Sequence, residues 1–168
     1  IEKATSSAST LTNKFMSYSE SGPVTKTLCN ISKMLVETLS FVQASIKSSI
    51  AYDIDNTKDA LYADTNQIQQ VIYNLIINAS QASVNNEEIS VSLRNREIHR
   101  SDSIDLRPGK YFEISIKDYG IGITDIQREE IFNPYFTTKE NGHGLGLSAC
   151  LTTVMNHNGI IHVESKEG

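Results

Sequence analysis

Residues Asp118–Leu147 read DYGIGITDIQREEIFNPYFTTKENGHGLGL, and this stretch decides the fold. It holds five of the nine glycines of the chain, in two clusters on either side of a Thr-Thr-Lys segment that ends at Lys139. Glycine lets the backbone reach positive φ and approach a ligand closely. Each cluster by itself fits two interpretations, an ordinary turn or a loop that closes over an anionic group. The rest of the chain decides between them.

The composition is typical of a globular protein that is large enough for one domain with a real core. The chain has 168 residues, of which 39% are hydrophobic and 21% charged, and its formal net charge is −5. No basic run is present, so nucleic-acid binding is not expected. No apolar run is long enough to span a bilayer and no signal peptide is recognised. These features predict a cytoplasmic fragment without membrane contact, and leave room for a membrane anchor elsewhere in a longer protein.

The cysteines and the N-terminal segment give two further expectations. Cys29 and Cys150 both fall in predicted helices and are predicted to be buried reduced thiols rather than a metal site or a disulfide. Residues 1–20 have a narrow seam of small and apolar residues, alternately four and three residues apart, which is typical of a helix that pairs with another helix. The seam consists of Ala4, Ala8, Leu11, Phe15 and Tyr18.

Hydrophobic periodicity divides the remainder of the chain into helices and strands. Asp64 begins a helix, because it is a good N-cap and Gln67 follows it three residues later. The other predicted elements are a helix at 25–48, strands at 49–55 and 60–63, an antiparallel hairpin of strands at 88–98 and 110–118, helices at 124–131 and 146–156, and a strand at 160–164. This order predicts an α+β fold, a two-layer α/β sandwich with helices on one face of a mixed, largely antiparallel sheet.

Two asparagines interrupt the apolar pattern of the helix that begins at Asp64. Asn74 and Asn78 are four residues apart, so their side chains project from the same face. A buried amide without a partner costs about 1–3 kcal/mol, so both need hydrogen-bond partners. Two alternatives are open: the amides bond to neighbouring backbone, or their oxygens face a ligand or a hard cation.

Four segments, taken in order, carry a family resemblance. They are QVIYNLIINA at Gln70–Ala79, DYGIGI at Asp118–Ile123, FNPYFTTK at Phe132–Lys139 and GHGLGL at Gly142–Leu147. Their order and spacing resemble the N, G1, F and G2 boxes of sensor histidine kinases, in the superfamily that also contains gyrase, heat-shock chaperone and mismatch-repair ATPases. The short interval between the last two segments is similar to that of the short-lid nitrogen-regulation sensor kinases. The resemblance implies a Bergerat ATP-binding fold for residues 21–168, lacking a final strand, and the end of a dimerisation and histidine-phosphotransfer helix for residues 1–20.

The resemblance also implies a site for ATP and Mg²⁺. Asp118 would accept a hydrogen bond from the adenine amino group, with Gly120 and Gly122 beside the base and Ile123 as an apolar wall. Asn78 matches the asparagine that coordinates magnesium, a cation that prefers oxygen ligands. The resemblance also implies a short mobile lid over the phosphates, formed by Thr137–Leu147. The other implied nucleotide contacts lie in this lid: Thr138, Gly142, His143, Gly144, Leu145, Gly146 and Leu147. The N-terminus of the helix that begins at Gly146 would present N–H groups to phosphates.

Two residues bear on the reaction. Asn74 matches a position where the ATP hydrolases of the superfamily typically have a glutamate that activates water. An amide cannot act as a general base, which favours phosphoryl transfer to a positioned acceptor over hydrolysis. Lys139 fits two interpretations, a mobile charge near the γ-phosphate or a solvated loop lysine.

The function implied is that of the ATP-binding catalytic domain of a two-component sensor histidine kinase. Its γ-phosphoryl acceptor would be a histidine on an upstream helical domain, for relay to a response regulator receiver domain, and the full-length protein would be a homodimer. None of the four histidines lies in such a helix: His143 is predicted to be a lid contact, and His99, His157 and His162 to be surface or strand residues. The alternatives are an ATP hydrolase of the same superfamily and an interaction module that no longer binds nucleotide.

Overall fold

The computed structural model describes residues 24–55, 60–102, 104–139 and 142–167. The helix expected at residues 1–20 lies outside the described residues, as does the domain boundary expected at residue 21. The strands in the described part are β1 (Thr27–Asn30), β2 (Ile50–Ile54), β3 (Ala60–Ala63), β4 (Ile89–Ile98) and β5 (Gly109–Lys117). The helices are α1 (Ile31–Gln43), α2 (Thr65–Ala82), α3 (Asp125–Glu130) and α4 (Gly146–Asn156).

The strands form a mixed arrangement, as expected. In the three-stranded sheet, β4 lies between β2, to which it is parallel, and β5, to which it is antiparallel. The predicted β4–β5 hairpin is confirmed, with Ser90 opposite Lys117 at one end and Ile98 opposite Gly109 at the other. The strands β1 and β3 form a separate antiparallel pair. The predicted fold class, an α+β fold with a mixed sheet, is confirmed.

The core lies between one face of β4 and the apolar stripes of α1 and α2. Residues alternate along the first half of β4, so that Ile89, Val91 and Leu93 are buried and the residues between them are not. The helix residues that pack with them are Ile31, Met34, Leu35, Leu39 and Val42 of α1 and Ile72, Ile76 and Ala79 of α2. Half-buried side chains of β5, namely Phe112, Ile114 and Ile116, pack at the edge of this core. Helices therefore cover one face of the sheet, as the sequence predicted.

Asp64 caps α2 and connects its N-terminus to two other parts of the chain. Its Oδ1 accepts a hydrogen bond from the backbone N–H of Gln67 at 3.2 Å, which confirms the predicted cap. Its Oδ2 accepts from the backbone N–H of Thr25 at 3.0 Å. The backbone N–H of Asp64 itself donates to Nε2 of His157 at 3.0 Å. These bonds hold the start of α2 against the chain before β1 and the end of α4.

His157 differs from the prediction that it is a surface or strand residue. It is half-buried at the C-terminal cap of α4, with its Nδ1 2.8 Å from the carbonyl oxygen of Thr153. Because Nε2 accepts from Asp64, the proton lies on Nδ1, which donates to that carbonyl. His99 and His162 are exposed, as predicted.

The first predicted helix was placed too early and ended too late. Thr27–Asn30 form β1 and pair with Ala60–Ala63, and Asn30 then caps α1 by accepting from the backbone N–H of Lys33 at 2.8 Å. Cys29 is therefore in a strand and half-buried, not in a helix and buried. Leu28 fits a helical stripe in the sequence, but it lies on the exposed face of this strand pair. Helix α1 ends at Gln43, whose side chain bonds the backbone of Ser48 and Ile50 as the chain turns back.

The strand predicted at residues 160–164 is not formed in the structure. The expected alternation is present in the burial of the side chains, since Ile161 and Val163 are half-buried and Ile160 and His162 are exposed. However, the segment has no register with β5 or any other strand among the described residues. Alternation sets which side chains face inward, but a ladder also needs a partner edge at the right distance.

Within the described residues, no helix combines the length and the apolar character that crossing a membrane requires.

Replacing Leu35 with alanine tests the position of the core. Leu35 is fully buried between α1 and its neighbours, so we expect Leu35→Ala to lower the free energy of unfolding by about 2–5 kcal/mol. Leu28→Ala is the matched control. Leu28 is 73% exposed, so its substitution should lower the free energy of unfolding by less than about 1 kcal/mol. Urea denaturation followed by circular dichroism measures both. Equal losses in the two variants would contradict this core.

Candidate functional site

The four sequence segments meet along the face of α2 that points away from the core, where they line one open cleft. The middle of α2 provides Asn74 and Asn78, and its last residue, Ala82, contacts the loop after β5. Lys139 reaches across to α2 from the lid. Helix α4 packs beside α2 through Cys150, which is buried. The tertiary structure thus brings together segments that are up to 73 residues apart, from Asn74 to Leu147.

Asp118 directly follows β5, and its side chain is exposed. One carboxylate oxygen, Oδ1, accepts a hydrogen bond from the backbone N–H of Gly120 at 2.9 Å. This bond bends the chain sharply at the strand end, in the manner of an Asx turn. The carboxylate therefore fixes its own loop and at the same time faces the cleft opening.

The loop after Asp118 is held from two sides. On one side the backbone N–H of Ile121 donates to the carbonyl oxygen of Ala82 at 3.2 Å, and a Cβ at Gly120 would lie 2.5 Å from that oxygen. On the other side Gly122 has φ +68° and lies against the backbone of Lys166. Ile123 is half-buried, and its N–H donates to Oγ of Ser165 at 3.1 Å. Gly120 is needed for contact with α2, and Gly122 for its left-handed conformation.

Asn74 is held by two neighbours. Its Oδ1 accepts from Nε2 of Gln70 at 3.1 Å, one turn earlier on α2. Its side chain also hydrogen-bonds the thiol of Cys150. Burial raises the pKa of that thiol to about 11, and the bond with Asn74 opposes the shift to a smaller extent. At neutral pH the thiol is therefore protonated and unreactive, as predicted for a buried cysteine.

Asn78 faces a cation. Its Oδ1 accepts a hydrogen bond from the Lys139 ammonium at 3.1 Å, and the same ammonium donates to Oε1 of Gln81 at 2.6 Å. Of the two alternatives for the asparagines, the structure shows side-chain partners for both amide oxygens rather than neighbouring backbone. Lys139 is exposed at the surface of the lid, but its ammonium is bound to α2, so it is not simply a solvated loop lysine. Desolvation lowers the pKa of this ammonium from its ordinary value.

A tight turn presents Lys139 to α2. The backbone N–H of Lys139 donates to Oγ1 of Thr137 at 3.1 Å, and the N–H of Gly142 donates to the carbonyl oxygen of Lys139 at 3.0 Å. A Cβ at Gly142 would lie 2.1 Å from Oγ1 of Thr137, so a side chain there would disturb the turn. Thr138 lies in this turn, and His143 directly after it; both are exposed.

The base of the lid is closed by a backbone contact. The N–H of Tyr135 donates to the carbonyl oxygen of Gly144 at 2.8 Å. Gly144 has φ +65°, and a Cβ there would lie 2.3 Å from the carbonyl carbon of Tyr135. Tyr135 itself has φ +70°, an unusual conformation for a residue with a side chain. This contact joins the segment Phe132–Lys139 to the segment Gly142–Leu147 and so holds the two sides of the lid together at its base.

Helix α4 begins at the end of the lid, at Gly146. Its N-cap residue, Leu145, makes no side-chain capping bond, and a Cβ added at Gly146 would meet open space. Leu147 is half-buried in the first turn. A helix N-terminus that opens onto a cleft attracts anions through its N–H groups and its dipole. This end of the cleft suits phosphate groups.

The donor chemistry of the cleft fits Mg²⁺. Among the described residues, no group of three or more His, Cys, Asp or Glu side chains forms a metal cluster. A metal here would therefore depend on the amide oxygen of Asn78 and on oxygen atoms of a ligand, an arrangement that Mg²⁺ accepts because it keeps several waters. Asn78 already faces the Lys139 ammonium, so its oxygen is oriented toward a positive charge.

Three contacts of the site residues were not found from the sequence: those of Gln70, of Gln81 and of the buried Cys150. Gln70 precedes Asn74 by four residues and Gln81 follows Asn78 by three, so helical spacing alone could have placed both on the face of the asparagines. Cys150 carried no such signal, because its contact with Asn74 spans two helices.

Comparisons with known proteins agree with this arrangement. The family model described as histidine kinase-, DNA gyrase B-, and HSP90-like ATPase matches residues 63–168. The sensory histidine kinase/phosphatase NtrB of Vibrio alginolyticus is 30% identical over 148 residues, which are 87% of this chain and 42% of NtrB. The sensor histidine kinase ZraS of Escherichia coli K12 is 38% identical over 71% of this chain and 23% of ZraS. The chain thus spans less than half of the length of these relatives.

Solved structures give the same fold. The catalytic domain of histidine kinase ThkA, in a nucleotide-free form, is 26% identical with a TM-score of 0.61, covering 79% of this chain and 82% of that one. ThkA in complex with response regulator protein TrrA has a TM-score of 0.65 over 94% of this chain and 43% of that one, at 24% identity. The resemblance to sensor histidine kinases that the four segments suggested is therefore confirmed. The chain belongs to the family of histidine kinase-, DNA gyrase B- and HSP90-like ATPases, and the relatives it matches there are sensor histidine kinases.

Proposed function

We propose that this chain binds Mg·ATP in the cleft along α2 and is the ATP-binding catalytic domain of a sensor histidine kinase. It passes the γ-phosphoryl group to a histidine on a histidine-phosphotransfer domain. The observation that carries the proposal is the convergence of the four segments on one face of α2, with Lys139 bound to Asn78 across the cleft. The sequence similarity to NtrB and ZraS supports the same activity.

The base lies at the end of the cleft near Asp118. The exocyclic amino group of adenine donates a hydrogen bond to a free lone pair of the Asp118 carboxylate, while Oδ1 keeps its bond to the N–H of Gly120. Gly120 and Gly122 keep the loop close to the base, and Ile123 contacts it with its half-buried side chain. Guanine has a carbonyl oxygen where adenine has this amino group, and that oxygen cannot donate to the carboxylate, so the site favours adenine over guanine.

The phosphates lie between α4 and the lid. The N–H groups of the first turn of α4, from Gly146 onward, bind the phosphate oxygens, and Gly142, His143, Gly144 and Leu145 form the loop that leads into it. Thr138 and Leu147 border the same space. Asn78 would hold Mg²⁺, which when bound neutralises charge on the phosphate oxygens. Lys139 is close enough to Asn78 to reach the γ-phosphate with a small movement of the lid.

Asn74 is proposed to favour transfer over hydrolysis. Its amide cannot take a proton from water, and its bonds to Gln70 and Cys150 hold it in one orientation. Phosphoryl transfer depends mainly on positioning and charge stabilisation, so a site without a general base can still transfer to an acceptor that is brought to it.

The partners follow from the same proposal. The acceptor histidine belongs to the kinase's own histidine-phosphotransfer domain, with residues 1–20 as the end of its helix, and the full-length protein is a homodimer. A response regulator receiver domain then takes the phosphoryl group. ThkA has been solved in complex with the response regulator protein TrrA, which supports a partner of this kind. Nucleic acid and membrane are not expected to contact this part of the protein.

Asp118→Asn tests the position of the base. The asparagine oxygen can still accept from Gly120, so the loop should keep its shape, but the charged acceptor for the adenine amino group is lost. We expect Mg·ADP affinity to fall by about 10- to 100-fold, the value of a hydrogen bond to a charged group. Isothermal titration calorimetry measures it.

The matched control for this measurement is Asp125→Asn. Asp125 is exposed in α3, where it pairs with Arg128 at 2.9 Å, and it does not line the cleft. Its substitution should leave the affinity unchanged. Equal affinities for wild type and Asp118→Asn would rule out the proposed placement of adenine.

The transfer reaction has a simple test. We expect this chain alone, incubated with γ-³²P-ATP and Mg²⁺, to bind nucleotide without becoming labelled, because none of its histidines matches the acceptor. A chain extended upstream through the helical hairpin should become labelled on histidine. Label on the isolated chain, or rapid steady release of phosphate from it, would contradict the proposal and favour a hydrolase.

A further inference from the structure

The Lys139 ammonium lies between two neutral amide oxygens. It donates to Asn78 Oδ1 at 3.1 Å and to Gln81 Oε1 at 2.6 Å. The two acceptors are three residues apart on α2, so they lie on the same face of the helix. Together they form a site for one small cation, which we call the amide pair (Asn78 and Gln81).

We propose that Lys139 occupies the amide pair in the ligand-free protein and is displaced by Mg²⁺ when nucleotide enters, so that the lid is released only when the metal is in place. This rests on the proposed function, because it assigns the metal to Asn78. Gln81 becomes a positioning residue that holds Lys139 in the ligand-free state.

The exchange follows from charge and geometry. One amide oxygen cannot hold an ammonium at hydrogen-bond distance and a divalent cation at the same time, because the two positive charges repel at such short separation. When Mg²⁺ binds Asn78, Lys139 must therefore leave. The incoming phosphates carry negative charge, to which the freed ammonium can turn.

The geometry of the lid allows Lys139 to leave α2 while the rest of the lid keeps its own hydrogen bonds. Lys139 is held to its own turn through Thr137 Oγ1 and the N–H of Gly142, and the base of the lid is closed by the bond from Tyr135 to Gly144. Among the hydrogen bonds of the described residues, only the two from the ammonium connect this turn to α2.

The first test uses the protein without nucleotide. Gln81→Met keeps the length of the side chain and removes one acceptor, and Lys139→Met removes the donor. In Gln81→Met we expect the amide hydrogens of lid peptides containing Thr137–Lys139 to exchange about 2- to 13-fold faster than in wild type, the effect of one lost hydrogen bond. In Lys139→Met, which loses both bonds of the ammonium, they should exchange at least as fast as in Gln81→Met. Hydrogen-exchange mass spectrometry measures it. Unchanged exchange in both variants would overturn the proposal.

The second test measures the Mg²⁺ concentration that gives half-maximal binding of ADP, by calorimetry at a series of Mg²⁺ concentrations. ADP is used because it has no γ-phosphate, so the loss of a lysine contact to that group cannot affect the result. We expect Lys139→Met to lower the required Mg²⁺ concentration by about 2- to 13-fold, since the competing cation is gone. An unchanged or increased requirement would overturn the exchange.

Lys33→Met is the control. Lys33 is an exposed lysine of α1 that pairs with Glu37, and its substitution changes the net charge by the same amount as Lys139→Met. It should leave lid exchange and the Mg²⁺ requirement as in wild type. Failure of wild type to bind Mg·ADP would disprove the proposed function and the exchange with it. Normal Mg·ADP binding that Asp118→Asn weakens, together with no effect of Lys139→Met, would leave the proposed function intact and overturn only the exchange.

Discussion

The rotation of α2 about its axis is the constraint on which the cleft depends. One face of this helix buries Ile72, Ile76 and Ala79 in the core, and the other carries Asn74 and Asn78, which are half-buried. A residue on a helix turns by about 100° relative to the one before it, so a rotation of the helix by one residue would place an amide in the core or an isoleucine in the cleft. Packing of the apolar stripe on β4 therefore also aims the asparagines. The cap at Asp64 fixes where this helix begins.

Glycines then set how close the loops come to α2. Gly120 allows the loop after β5 to contact the carbonyl oxygen of Ala82, and Gly144 allows the lid to cross the backbone of Tyr135. In both places a Cβ would lie within 2.6 Å of backbone atoms, which cannot move aside as a flexible side chain can. The glycine clusters are thus part of the tertiary packing. They leave the N-terminus of α4 and the carboxylate of Asp118 open to the same cleft.

The cleft is notable for using neutral amides where a hydrolase would use a carboxylate. Amide oxygens can orient a cation, as Asn78 does with Lys139, but they do not take up a proton at ordinary pH. The second asparagine, Asn74, has its orientation fixed by Gln70 and by a buried thiol. This chemistry suits binding and positioning of a charged ligand.

Local patterns in the sequence determined α2 and its cap, the β4–β5 hairpin, the helix at α4 and the common face of the two asparagines, because each depends on residues within a few turns or on a simple alternation. The same patterns could not separate β1 from a helix, since its partner lies some 30 residues later in β3, nor show that residues 160–164 would lack a ladder. Only the tertiary structure decided that Lys139 lies on Asn78 and Gln81, that Asp118 is exposed, and that Cys150 contacts Asn74. These contacts join distant parts of the chain, and hydrophobic periodicity contains no information on which distant polar groups will meet once the core has formed.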